Sequence, residues 1–312
     1  MRAQLAGVLV SLVLLVSPAG TPSAAAEPPL RLGVTASDAF AEGYYAQEMG
    51  FFKKAGLNVE ITRFTTGAAI ATGVSSGAID VGVSNVAFLA RQIEHGAPLV
   101  FIAGGGLYSS RAPISALCIA KNAHIATAKD LEGKTLAITA IGDQTQIGVS
   151  AWLEKNNADP SKVRLIQIPF ADMGAAIQSG LADAAMMTEP WLSAALHNGS
   201  ARILAKPYDA VAPEFLIGVW FTSTSWYAKN MTTAKRFASV IYETARWANA
   251  HHDQTAPMLA TFARLDVQTI RAATRAPYST SLAPALIQPQ LDWAYKIRAI
   301  DGPLNANDII AK

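Results

Sequence analysis

Apolar and polar positions switch between two periods along most of this chain. Leu30–Thr35, Val59–Phe64, Ile79–Val83 and Leu99–Ala103 are short apolar runs of strand length. Between them Gly43–Lys54, Gly67–Ser75 and Val86–Glu94 read as helices; the first carries Tyr44, Tyr45, Met49, Phe51 and Phe52 at helical spacing, with Gly56 placed as a C-cap. That succession predicts βαβ units, with a parallel sheet covered by helices. The rhythm restarts after the polar turn Asp130–Gly133: strand Lys134–Thr139, helix Gln144–Lys155, strand Val163–Ile168, helix Met173–Ser179, strand Asp183–Met187, helix Pro190–His197 and strand Ala201–Leu204. Two similar α/β halves are laid end to end.

An internal repeat supports duplication. Gly67-Ala68-Ala69-Ile70 leads to Ser76-Gly77-Ala78-Ile79-Asp80-Val81-Gly82, and Gly174-Ala175-Ala176-Ile177 leads to Ser179-Gly180-Leu181-Ala182-Asp183-Ala184-Ala185. Each copy predicts a helix closed by Ser-Gly and a strand opened by Asp; they differ by about one helical turn. Beyond residue 214 the pattern changes to one apolar strand, Phe215–Phe221, then helices Ala234–Ala250, Pro257–Ala263, Val267–Ala273 and Pro284–Ala299. A strand at Pro113–Ala120 enters the second half and Phe215–Phe221 leaves it, as two crossings of one hinge. The expected division is a first lobe of residues 27–112 plus 223–312 and a second of 113–222 that includes the hinge strands.

The N-terminus has the three parts of a secretory signal: Arg2, the apolar run Leu5–Val16, and small residues Ser23–Ala26. Cleavage is expected after Ala26, and beyond residue 27 no run approaches the roughly 20 apolar residues of a membrane span. Of the 312 residues 51% are hydrophobic and 15% charged, and 25 Lys+Arg against 23 Asp+Glu give a net charge of +2. With no basic stripe to neutralise phosphates, nucleic acid is not an expected partner. The single cysteine, Cys118, lies in the apolar string Ile114–Ala120 and reads as a core residue.

Motifs for chemistry are absent. Gly133-Lys134-Thr135 looks like the end of a phosphate-binding loop, but position 128 is alanine and a strand follows where a helix is required. Gly104-Gly105-Gly106 lacks dinucleotide-binding spacing and reads as a flexible turn. No cysteine pair or histidine spacing suits a metal, and the five histidines read as surface or helix-end residues. What remains are polar loops at strand ends, where helix N-termini offer N–H groups: Ala36–Phe40, Thr65–Gly67, Ser84-Asn85, Ile141–Thr145 and Thr188–Trp191. Phe40, Tyr44 and Trp191 can wall such a site.

Several strings resemble a known family. Arg31–Val34, Gly50–Glu60 (GFFKKAGLNVE) and Ser76–Gly82 look like the first domain of the nitrate/sulfonate/taurine and thiamine-precursor group of ABC-transporter solute-binding proteins. Asp130–Ala137, Ser179–Ala184 and Glu189-Pro190-Trp191 resemble its second domain. The resemblance covers roughly residues 30–220. It implies an α/β, two-lobed periplasmic-binding-protein fold of type II, with parallel-rich sheets flanked by helices and a two-strand hinge. It also implies a periplasmic monomer without cofactor or catalysis, which closes on a small organic solute and delivers it to an inner-membrane permease driven by an ATPase.

Matching loops assigns Asp38, Phe40, Thr66, Ser84 and Asn85 from the first lobe and Gly142, Asp143, Gln144, Glu189 and Trp191 from the second. Backbone N–H groups at Thr66-Gly67 and Gln144-Thr145 are expected to hold a polar or anionic group, with Phe40 and Trp191 on the apolar body. Glu189 departs from a pure anion binder, and Arg63 and Arg111 are the nearest arginines. A sulfonate- or taurine-like solute, a zwitterion and a pyrimidine-like heterocycle all stay open. Two other functions are weighed against capture: the pyrimidine-precursor enzyme of the thiamine-related group, which needs a cysteine-rich motif this chain lacks, and a module presenting ligand to a sensor.

Overall fold

The computed structural model describes residues 28–312; the expected export segment lies outside them. Two five-stranded sheets form the centres of two lobes. The first has the order β2 (Val59–Phe64), β1 (Leu30–Thr35), β3 (Val81–Asn85), β12 (Gly218–Ser223), β4 (Leu99–Gly104). The second runs β8 (Arg164–Gln167), β7 (Thr135–Ile138), β9 (Ala184–Thr188), β6 (Ser115–Ala120), β10 (Ala201–Ala205). The remaining two strands, β5 (Leu107–Ser109) and β11 (Glu214–Leu216), pair antiparallel as a ribbon where the chain passes between lobes.

The sheets share one plan. β1 is parallel to β2 and β3, and β7 is parallel to β8 and β9. In each, the fourth strand runs against its neighbours: β12 is antiparallel to β3 and β4, and β6 to β9 and β10. Both reversed strands lie beside an interlobe crossing, so each enters its sheet from the opposite direction. Pure βαβ reasoning foresees only the parallel part. It also merges β11 and β12 into one strand and assigns both to the second lobe. The chain bends at Ile217, whose N–H and that of Gly218 donate to Gly106 O (2.8 and 3.1 Å), and β12 completes the first sheet. β12, expected with the second lobe, thus lies in the first sheet.

Glycines 104–106 are packed rather than flexible. Gly105 N donates to Gly218 O at 2.9 Å, and a Cβ at Gly106 would collide with Ala39. Only glycine permits this backbone approach. The expected first helix is two, α1 (Glu42–Glu48) and α2 (Phe51–Lys54), broken where Gly50 takes φ +70°.

The repeated Ser-Gly-x-x-Asp has one structural job in both lobes. α3 (Gly67–Ser75) and α6 (Phe170–Gln178) end through Gly77 and Gly180, both at φ +76°. Asp80 Oδ2 then accepts from Arg31 N at 2.8 Å, and Asp183 Oδ2 from Thr135 N at 2.8 Å, each carboxylate fixing the start of the neighbouring strand. The other helices of the lobes are α4 (Val86–Glu94), α5 (Gln144–Lys155) and α7 (Trp191–His197). They cover apolar strands such as β7 and β9, which are buried along their whole length. Such near-continuous apolar runs suit strands covered on both faces.

α8 (Thr224–Ala250) packs on α1 and β4, kinked at Asn230, whose side-chain amide donates to Trp226 O. The C-terminal part continues through α9 (His252–Ala263), α10 (Val267–Ala272), α11 (Gln288–Lys296) and α12 (Ala306–Ile309). Among the described residues no helix is long and apolar enough to cross a membrane.

Candidate functional site

The carboxyl ends of the strands of both sheets face a cavity of about 330 Å³ between the lobes. From the first lobe come Thr35–Ser37 and Phe40, the loop Arg63–Ala68 after β2, and Ser84, Asn85 and Phe88 after β3. From the second come Thr139, Ala140 and Asp143 after β7, Pro169–Asp172 after β8, and Trp191 after β9. Equivalent strands supply equivalent walls.

Helix N-termini converge here. Thr66 Oγ1 caps α3 by accepting from Ala69 N at 3.2 Å, and the N–H groups of Gly67 and Ala68 on the wall have no partner among the described residues. Asn85 Oδ1 caps α4 through Phe88 N (2.9 Å) and also accepts from Gln144 N of the other lobe at 3.4 Å. α6 has Pro169 at its N-cap and no side-chain cap, so Phe170 and Ala171 present their N–H groups as well. Such ends favour negative charge and acceptor oxygens. The Ser84 hydroxyl is fully buried with no hydrogen-bond partner among the described residues. It lies directly beneath Gly67, where a Cβ would collide with it.

Six of the ten residues inferred from the sequence reach the wall: Phe40, Thr66, Ser84, Asn85, Asp143 and Trp191. The Asp143 carboxylate is nonetheless consumed as the cap of α5, accepting from Thr145 N (2.9 Å), Gln146 N (3.1 Å) and the hydroxyls of Thr139 and Thr145. Burial raises its pKa against these hydrogen bonds.

The other four lie off the wall. Asp38 is 1% exposed at its side chain and is held by Arg275 through Nε (3.0 Å) and Nη2 (2.9 Å) and by Ala276 N (2.7 Å). It fixes the turn that carries Phe40. Glu189 is also buried, its carboxylate taken by Ser193 N (3.0 Å) and Ser193 Oγ (2.8 Å). Burial pushes its pKa up to about 7, with the Asp38 charge adding and the Ser193 bonds opposing. The carboxylate is thus committed to the first turn of α7. Gly142, at φ +77°, lies against Arg91, which donates to Ile141 O (3.1 Å) across the lobes. Gln144 is buried with both amide atoms unpartnered among the described residues, beside the wall and not on it.

Residues outside that assignment also line the cavity. Phe64 ends the run Val59–Phe64 and Phe88 lies inside the helix Val86–Glu94, and neither stands in a polar strand-end loop. Pro169–Asp172 stands in the second lobe where Thr65–Gly67 stands in the first; matching β8 with β2 identifies it, whereas starting α6 at Met173 hides it. Arg63 reaches the wall while donating to Phe262 O at 2.6 Å; Arg111 does not reach it. Cys118 is buried in the second sheet, which pushes its thiol up to about 12 and leaves it unreactive.

Two α/β lobes with matched sheets, joined by a ribbon around a solute-sized cavity, define the periplasmic-binding-protein architecture. The sequence pattern of the family described as NMT1/THI5 like matches residues 38–255, and the chain belongs to that family. It is 22% identical to an aliphatic sulfonates-binding protein of Bacillus subtilis (strain 168), over 97% of this chain and 93% of that one. A stretch of 187 residues is 30% identical to the bicarbonate transport ATP-binding protein CmpC of Synechocystis sp., over 52% of this chain. There the match spans only 26% of the relative's length. The alkanesulfonate-binding protein SsuA from Xanthomonas axonopodis pv. citri, solved bound to MOPS, superposes with TM-score 0.78 at 19% identity, over 92% of this chain and 99% of that one. That likeness establishes the shared fold.

Proposed function

We propose that the exported chain is the solute-capturing component of an ABC importer, working as a periplasmic monomer after removal of residues 1–26. It holds a small organic solute in the interlobe cavity and hands it to an inner-membrane permease with its ATPase. The observation that carries this reading is that one cavity takes its walls from both lobes, which are joined by the β5–β11 ribbon. A solute touching both walls stabilises the closed arrangement by its contacts to each, and no bond in it changes. The bodies that move are residues 28–106 with 217–312, and 110–213. The names of the sulfonate- and bicarbonate-related relatives support transport as the setting.

Native mass spectrometry of the protein purified from its own periplasm is expected to show a retained small molecule. Calorimetry with that molecule tests the site. Trp191→Ala and Asn85→Ala are each expected to weaken binding about tenfold or more, and unchanged affinity in both variants sinks the assignment.

A further inference from the structure

The geometry points to a single-ring aromatic acid as the solute, its oxyanion on the first turn of α3 beside Ser84 and its ring between the phenylalanines of one lobe and the Phe170–Trp191 panel of the other. This rests on the solute-capture reading and narrows it.

The apolar wall is unlike the rest of the molecule. Its large apolar side chains are Phe40, Phe64, Phe88, Phe170 and Trp191, with no Leu, Ile, Val or Met among the lining residues. Aromatic residues make up 8% of the chain, and the buried cores elsewhere are built mainly from aliphatic side chains. Three rings come from the first lobe and two from the second. Phe170 and Trp191 stack with centroids 5.9 Å apart and planes 17° from parallel, and both line the cavity. Flat faces and ring edges gain stacking and edge contacts from a planar ring, beyond area burial, that a flexible alkyl chain does not return. A volume of about 330 Å³ lies near the small end of ligand pockets and suits one ring.

The polar end is equally one-sided. Gly67 and Ala68 offer two N–H groups, and the Ser84 hydroxyl, 0% exposed, adds a third donor under the same helix turn, all three unpaired among the described residues. Among the described residues Arg63 is the only cationic side chain on the wall, and none of them brings an acidic side chain to the first lobe's share of it. In the second lobe Asp143 is occupied by its capping bonds, which leaves Asp172 at the exposed start of α6. Its charge disfavours a second anionic group there, so the solute carries one acid and not two.

The test uses the mature chain with benzoate, benzenesulfonate, hexanoate, hexanesulfonate, nitrate and benzylamine as probes, read by calorimetry and tryptophan fluorescence. An aryl acid is expected to bind roughly tenfold or more tighter than the alkyl acid with the same headgroup. Benzoate against benzenesulfonate then identifies the oxyanion. Ser84→Ala, which leaves the fold's shape intact, is expected to weaken the aryl acid about tenfold, and Arg63→Met to do the same. Circular dichroism melts of both variants show whether any loss reflects unfolding. Equal or tighter binding of an alkyl acid, nitrate or benzylamine overturns the aromatic-acid assignment while leaving solute capture in place. Failure of every probe also overturns it, and solute capture is then judged separately by the molecule retained from the periplasm.

Discussion

Glu189 shows how a carboxylate next to a cavity can govern stability without touching a ligand. Its pKa in the folded chain is about 7, against an ordinary value of 4.5. Below pH 4.5 both the folded and the unfolded chain hold the proton, and burial costs nothing electrostatic. Between 4.5 and 7 the unfolded chain ionises first, so stability falls as pH rises, and above 7 the loss is complete. At about 1.4 kcal/mol per pH unit this is on the order of 3 kcal/mol. Burial raises Asp143 and Glu42 too, so they act in the same direction. Urea titrations of Glu189→Gln from pH 4.5 to 8 are therefore expected to show a flatter dependence than wild type, with the variant more stable at pH 8. The sequence displays Asp38 and Glu189 in strand-end loops, where solute contacts are ordinarily found. Their true partners are hidden from it: Arg275 lies 237 positions beyond Asp38, and only tertiary packing brings its guanidinium within 3 Å.

At the scale of elements, legibility follows the caps. α4 and α5 begin and end where the sequence predicts, because Asn85 and Asp143 are strong N-cap residues placed directly before apolar periodicity. α6 has no such cap, and its first turn, Phe170–Asp172, is missed together with half of the second lobe's wall. α3 offers the clearest test of an element serving the site. Gly67→Ala would push a methyl group into the Ser84 hydroxyl and move the donor turn. Overpacking of this kind typically costs about 1–3 kcal/mol. The expected outcome is a lower melting temperature and weaker solute binding, with the melting temperature alone partly restored in the Gly67→Ala, Ser84→Ala double variant. A double variant no better than the single one would place the strain elsewhere.

At the scale of the molecule, two halves, their repeat and the hinge crossing are visible in the order of apolar runs. The reversal of one strand per sheet is not, because apolar content does not encode direction. That reversal also sets a clock. The second sheet is built from residues 115–205, and its strands need wait for no later chain. The first sheet has a gap between β3 and β4 until β12 arrives, with Val219 pairing Ser84 and Gly104 on its two sides. Closing so long a loop costs entropy before any contact repays it. Pulse-labelling hydrogen exchange during refolding is expected to protect β7 and β9 before β3 and β12, and simultaneous protection of both sheets would refute that order. The half of the protein made first is thus the half finished last. A chain still threading through a membrane would keep its leading lobe unfolded, and so transportable, until residue 223 had followed.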